Sequence, residues 1–215
     1  MKIAIFGDSF SANWVEFFSK GHHRYTAHGW SYFLAQKYDV TNYSQMAVGE
    51  YKILKQVQSA DLLKFDLAIV MHAGPLRLHS ATPPSVYENL KKNYPEFTHA
   101  DMSQGDLIYP HLKDATDIPD VKLAVDFFEK FVDLEYQSYV SNLFCESIYK
   151  RLNEFSNLKH LHLVNEQSTS SYSIPYENIH WIYEKHSEAT HHNHLSEKGN
   201  LEVLKIVEAW IQENS

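Results

Sequence analysis

The sequence is poor in the residues that staple a chain. Cys145 is its only cysteine, so neither an intrachain disulfide nor a metal knuckle of several cysteines can form. Lying within a helical apolar pattern, that thiol is expected to be buried and inert rather than a nucleophile. No apolar run approaches the length of a bilayer-spanning helix. Strand-like sequence begins at Lys2, which leaves no room for a signal peptide. The expectation is a soluble, unexported, cytoplasmic protein with no membrane span. A basic excess is also missing: 19 Lys and Arg stand against 27 Asp and Glu, a formal net charge of -8, which disfavours a nucleic-acid partner. Internal repeats and low-complexity tracts are absent.

What is there fits one core. The chain has 215 residues, 44% of them hydrophobic, and reads as a single domain over 1–215. Ile3 to Phe6 is a short apolar run stopped by Gly7, the pattern of a buried strand ending at a turn. Val40 to Tyr43, Asp66 to Met71 and Leu158 to Val164 read as further strands, and Asn178 to Tyr183 as a fifth strand or an extended loop. Between them, helical spacing runs from Trp30 to Tyr38 and from Tyr51 to Gln58. It returns along one stripe from Val121 to Phe155, as one long or one broken helix, and again from Leu195 to Ile211. Strands alternating with helices predict an α/β fold, a three-layer α/β/α sandwich around a central parallel sheet of about five strands.

Two stretches break the pattern. Ser11 to His28 is aromatic and polar and reads as a loop at a site rim. Ser80 to Pro119 carries Pro83, Pro84, Pro95, Pro110 and Pro119 with no sustained period, and is expected to be an inserted flap, either a surface elaboration or a lid.

Chemistry converges on two segments. Ser9 follows the first strand, and in open α/β sheets the crevice beyond the carboxyl ends of the strands is where ligands bind. Asp8 and Ser9 are equally good turn formers, so the tripeptide Gly7-Asp8-Ser9 alone leaves both readings open. The second segment, HHNHLSEKGN from His191 to Asn200, places His194 just before the last helix, with Ser196 as its expected N-cap. A hydroxyl needs a base to become a nucleophile, and imidazole suits that task near neutral pH.

These segments together resemble the SGNH, or GDSL, hydrolase family. In that family a GDS motif after strand one carries the nucleophile, a Gly after strand two donates an oxyanion-hole N–H, and a D-x-x-H motif near the C-terminus carries the base. GDSF supplies Ser9, NYSQMAVGE supplies Gly49, and HHNHLS supplies His194. The resemblance covers most of the chain outside the flap and implies an SGNH-hydrolase-like, flavodoxin-like sandwich. It further implies a serine esterase or acylhydrolase that cleaves an ester-linked acyl group, with a small-molecule or carbohydrate ester as substrate and no cofactor.

The chain departs from the family twice. HAGPLRL, from His72 to Leu78, lacks the Asn of the family's G-x-N-D block. Arg77 either replaces that donor in the oxyanion hole, binds an acidic group of the substrate, or pairs on the surface. His191 stands where D-x-x-H would place Asp, so the orientation of His194 falls to a backbone carbonyl near His191 or to Glu188, giving a Ser9–His194 dyad or a rearranged triad.

Two other readings stand beside the esterase. One is a catalytically impaired SGNH-like fold that binds a ligand or partner. The other is a metal protein, in which His186, Glu188, His191, His192 and His194 assemble with His22 and His23, although no H-E-x-x-H spacing occurs. His160 and His162 would share one strand face; with no partner cluster nearby in sequence they read as packing or surface residues.

Overall fold

The computed structural model describes residues 1–12, 28–45, 47–80, 105–108, 119–165, 172–186 and 195–214. Its strands are β1 (Lys2–Gly7), β2 (Asp39–Asn42), β3 (Leu67–His72), β4 (Arg77–Leu78), β5 (Leu107–Ile108), β6 (Lys159–Val164) and β7 (Glu177–Asn178). Five of them form one sheet in the order β2-β1-β3-β6-β7, every pair parallel. The apolar runs of β1 and β3 explain why they lie inside this order: a strand covered on both faces has no polar side to show.

The helices are α1 (Trp30–Ala35), α2 (Glu50–Ser59), α3 (Pro119–Phe131), α4 (Leu134–Asn153), α5 (His180–His186) and α6 (Glu197–Asn214). Side-chain alternation along the strands divides the core in two. Ile3, Ile5, Leu67, Ile69, Met71, Leu161 and Leu163 face α1, α5 and α6. Ala4, Phe6, Ala68 and Val70 face α2 and α4. The result is the three-layer α/β/α sandwich expected from the sequence.

Local chemistry sets the helix starts. The apolar stripe from 121 to 155 is broken at Val132 and Asp133 because the Asp133 carboxylate accepts the N–H groups of Glu135 and Tyr136 and caps α4. Asn178 does the same for α5, accepting the His180 N–H at 2.9 Å. The stretch expected as a fifth strand or extended loop therefore splits: it holds the end of β7 and then a helix. Ser196 takes its expected place ahead of α6, its hydroxyl accepting the Gly199 N–H at 3.3 Å. Among the described residues no helix is long and apolar enough to cross a membrane.

Trp30 ties three elements together. It is fully buried, its indole N–H donates to the Phe10 carbonyl, and its backbone N–H donates to Asn200 Oδ1 on α6. Of the expected flap, β5 pairs antiparallel with β4; the lid reading lies outside the described residues.

The end of β1 is tightly packed. Gly7 has φ +150°, and a Cβ there would fall 2.5 Å from Ser11 Oγ and 2.6 Å from the Met71 carbonyl oxygen. The Gln56 side chain brackets the same residue, accepting its N–H at 2.9 Å and donating to its carbonyl at 3.0 Å. Gly7→Ala should combine backbone strain with overpacking and lower the unfolding free energy by about 3 kcal/mol, read from the urea midpoint. An unchanged midpoint would show that this turn relaxes without cost.

Candidate functional site

The turn after β1 is held by charge. Asp8 is fully buried; its Oδ1 accepts the Phe10 N–H at 2.9 Å and its Oδ2 accepts from Arg77 Nη2 at 2.6 Å. Arg77 also donates from Nη1 to the Val48 carbonyl at 2.6 Å. One guanidinium thus joins the Ser9 turn to the loop that carries Gly49. Ser9 itself is 7% exposed. Burial pushes the Asp8 carboxyl above its ordinary value of 3.8; Arg77 and the Phe10 N–H oppose the rise without cancelling it, and Glu50 adds to it.

Gly49 lies at the head of α2, and its N–H donates to Asp106 Oδ2 at 2.6 Å. The other oxygen of Asp106 meets Lys52 Nζ at 2.8 Å and accepts the Ser80 N–H at 3.0 Å. The N–H that family resemblance assigns to an oxyanion hole is therefore directed at a carboxylate of this chain, next to β5.

A denser constellation lies one residue further on. Glu50 opens α2, His72 closes β3, and Cys145 sits in the middle of α4. Glu50 Oε2 is 3.0 Å from His72 Nδ1, and Cys145 Sγ is 3.3 Å from the same nitrogen. One atom from each of the three residues falls within 4.8 Å of the others, and all three residues are buried. The second Glu50 oxygen accepts the Ala73 N–H at 2.5 Å, which fixes the carboxylate against the end of β3.

Strand parity explains the convergence. Ala68, Val70 and His72 alternate onto the face covered by α2 and α4, and on β6 the same face receives His160 and His162. His72 Nε2 is 2.8 Å from His162 Nδ1, and His162 Nε2 is 3.1 Å from His160 Nδ1. Burial, and secondarily the neighbouring His72 and His160, hold the His162 imidazolium well below its ordinary pKa. His162 is therefore neutral at physiological pH and carries a single N–H, so it donates to one neighbouring ring and accepts from the other.

The cluster overturns the expected GDSL-type serine ester hydrolase, an acylhydrolase working through Ser9 and His194. Among the described residues, the imidazole buried beside both a carboxylate and a nucleophilic atom is His72, and the atom is the Cys145 sulfur. A cysteine triad does not replace the serine one. In a triad the nucleophile and the orienting acid occupy opposite ring nitrogens, whereas here both crowd Nδ1 and Nε2 is engaged by His162. A carboxylate oxygen, an imidazole nitrogen and a sulfur within 4.8 Å of one another could hold a metal ion. Around a tetrahedral zinc, typical ligand bond lengths place N and O about 3.3 Å apart and N and S about 3.5 Å apart, within a few tenths of the spacings found.

His194, His191 and Glu188 lie outside the described residues, as do His192, His22 and His23 of the metal alternative; His186 ends α5, where its carbonyl accepts the Ser196 N–H at 2.9 Å. Sequence reading missed Glu50 and His72 as site residues, took Cys145 as inert, and left His160 and His162 without partners. The usable signal was period two along DLAIVMH, which puts His72 on the Ala68 and Val70 face. No family model matches the sequence, and no curated protein matches it.

The raised Asp8 carboxyl carries a pH dependence of stability. Its folded value lies above its unfolded one, so folding takes up a proton between the two. The contribution of Asp8 is fully present below 3.8 and is lost as pH rises through the folded value. In urea unfolding series taken upward from about pH 4, the parent should lose stability more steeply than Asp8→Asn. Identical slopes would mean that the carboxyl titrates normally.

Proposed function

We propose that the protein is a ligand-binding module on an SGNH-hydrolase-like sandwich, and that its ligand is a divalent transition-metal ion held by Glu50, His72 and Cys145. The observation that carries this reading is the convergence of a carboxylate oxygen and a thiol sulfur on the same imidazole nitrogen, all within 4.8 Å. Thiolate and imidazole select softer ions, zinc foremost, over calcium or magnesium, which take oxygen ligands. Zinc held by three protein ligands keeps a fourth position for water or a small molecule. A cleft of about 360 Å³ lined by Gly49, Glu50, Arg77, Asp106 and Phe144 lies next to the cluster and shares Glu50 with it.

Two further parts of the reading follow. The thiolate must stay reduced to serve as a ligand, which supports a cytoplasmic location. Descent from the SGNH family is supported by the position of Gly7-Asp8-Ser9 at the end of β1 and by the parallel strand order.

Protein stripped with a chelator and reloaded should take up one zinc per chain by elemental analysis. Zinc at 100-fold its Kd should add about 2.7 kcal/mol to the unfolding free energy, seen as a raised melting temperature. His72→Ala and Cys145→Ala should each lose both effects. A parent chain with no uptake and no shift in melting would overturn the reading.

A further inference from the structure

The three histidines on the α2 and α4 face form a line that leads away from the cluster. His72 ends β3, and His162 sits on the neighbouring strand beside Val70 in the register, with His160 opposite Ala68. The His72 and His162 rings are stacked, 12° apart in plane with centroids at 5.1 Å. Their nitrogens meet at 2.8 Å and those of His162 and His160 at 3.1 Å. Tyr149 of α4 packs on His160 edge-on and on His162 at a tilt, with centroids 5.2 and 5.6 Å away. His162 is buried, whereas His160 is half-buried, so the line begins at Glu50 and Cys145 and ends near solvent.

Resting on the metal reading above, we infer that His162 is a positioning residue: it accepts the His72 Nε2–H and so holds His72 in the tautomer whose Nδ1 lone pair faces Glu50 and Cys145. A metal-bound histidine must offer an unprotonated nitrogen, and the hydrogen bond made by its other nitrogen decides which one that is. When His72 donates from Nδ1 to Glu50, its Nε2 must accept from His162 Nδ1–H, and His162 Nε2 accepts from His160 Nδ1–H. When Nδ1 serves as a ligand, both bonds reverse. His72 then donates from Nε2 to His162 Nδ1, and His162 donates from Nε2 to His160 Nδ1. Proton count on the three rings is conserved: one proton enters from water at His160 Nε2 as one leaves His72 Nδ1 by way of Glu50, and the Cys145 thiol separately gives up its proton to water as it becomes a ligand. The middle ring is no spectator in either arrangement, because a neutral imidazole cannot accept at both nitrogens or donate from both.

The test uses the intact chain and zinc alone. In the parent labelled with ¹⁵N-histidine, long-range ¹H–¹⁵N correlations should place the His162 proton on Nε2 in the zinc-loaded form. A proton on Nδ1 in that form would overturn the inference without needing any variant. In chelator competition, His162→Leu should bind zinc 10- to 100-fold more weakly, the usual cost of losing such a partner, at unchanged stoichiometry. His162→Gln should recover most of the loss, because its Oε1 accepts the same N–H. Equal affinity for parent and His162→Leu would refute the positioning role while leaving the metal reading intact. A parent that takes up no zinc would refute both.

Discussion

A buried carboxylate has to be partnered where it stands, and Glu50 is that constraint in this fold. It lies at the first turn of α2, where the helix dipole favours negative charge. Yet it is only 4% exposed, so the dipole alone does not offset the loss of water. The Ala73 N–H and the His72 ring supply the remaining interactions. Both belong to the end of β3, so the start of α2 is fastened over the carboxyl end of the central strand. Gly49, one residue before, is placed against Asp106 by the same fastening, and Arg77 closes the loop back to Asp8. Cys145 then fills the space that α4 leaves beside His72, against Val164, Tyr172 and Ile174.

Much of this fold was legible because its physics is local. The apolar runs of β1 and β3 could be bounded within a residue or two, since a strand buried on both faces carries few polar side chains between its ends; β6 departs from this with His160 and His162, whose ring nitrogens are paired with each other and with His72. The break between α3 and α4 was among the readings of that stripe, as one broken helix, and Asp133 followed by Glu135 is the cap signal that marks where it falls. The NIHWIY stretch was harder. Its β-branched and aromatic residues favour a strand, and a single side-chain bond from Asn178 decides otherwise.

The candidate site was illegible for a different reason. Glu50, His72 and Cys145 are separated by 22 and 73 residues, and no spacing rule links a helix start, a strand end and a helix middle. Motif reading instead fastened on residues that are close to their landmarks in sequence, namely Ser9 after β1 and His194 before α6. Their local signatures are also those of ordinary turns and caps. The Gly7-Asp8-Ser9 tripeptide does follow β1, but the buried carboxylate, imidazole and thiol that converge are those of Glu50, His72 and Cys145. Cys145 shows how a composition argument misleads: one cysteine excludes a disulfide and a multi-cysteine knuckle, but it does not exclude a mixed ligand set.

The two borders of the five-stranded sheet offer little to other molecules. β2 is four residues long, mostly exposed, and begins with Asp39 and ends with Asn42; β7 is two exposed residues, Glu177 and Asn178. A foreign strand adding itself to either border would find few free N–H and C=O groups in a row, and an aspartate or glutamate beside them. The long apolar strands that would template such growth, β1 and β3, are sealed in the interior of the order. Among the described residues, the borders of the five-stranded sheet thus offer little for edge-to-edge pairing, with the apolar β1 and β3 held inside it.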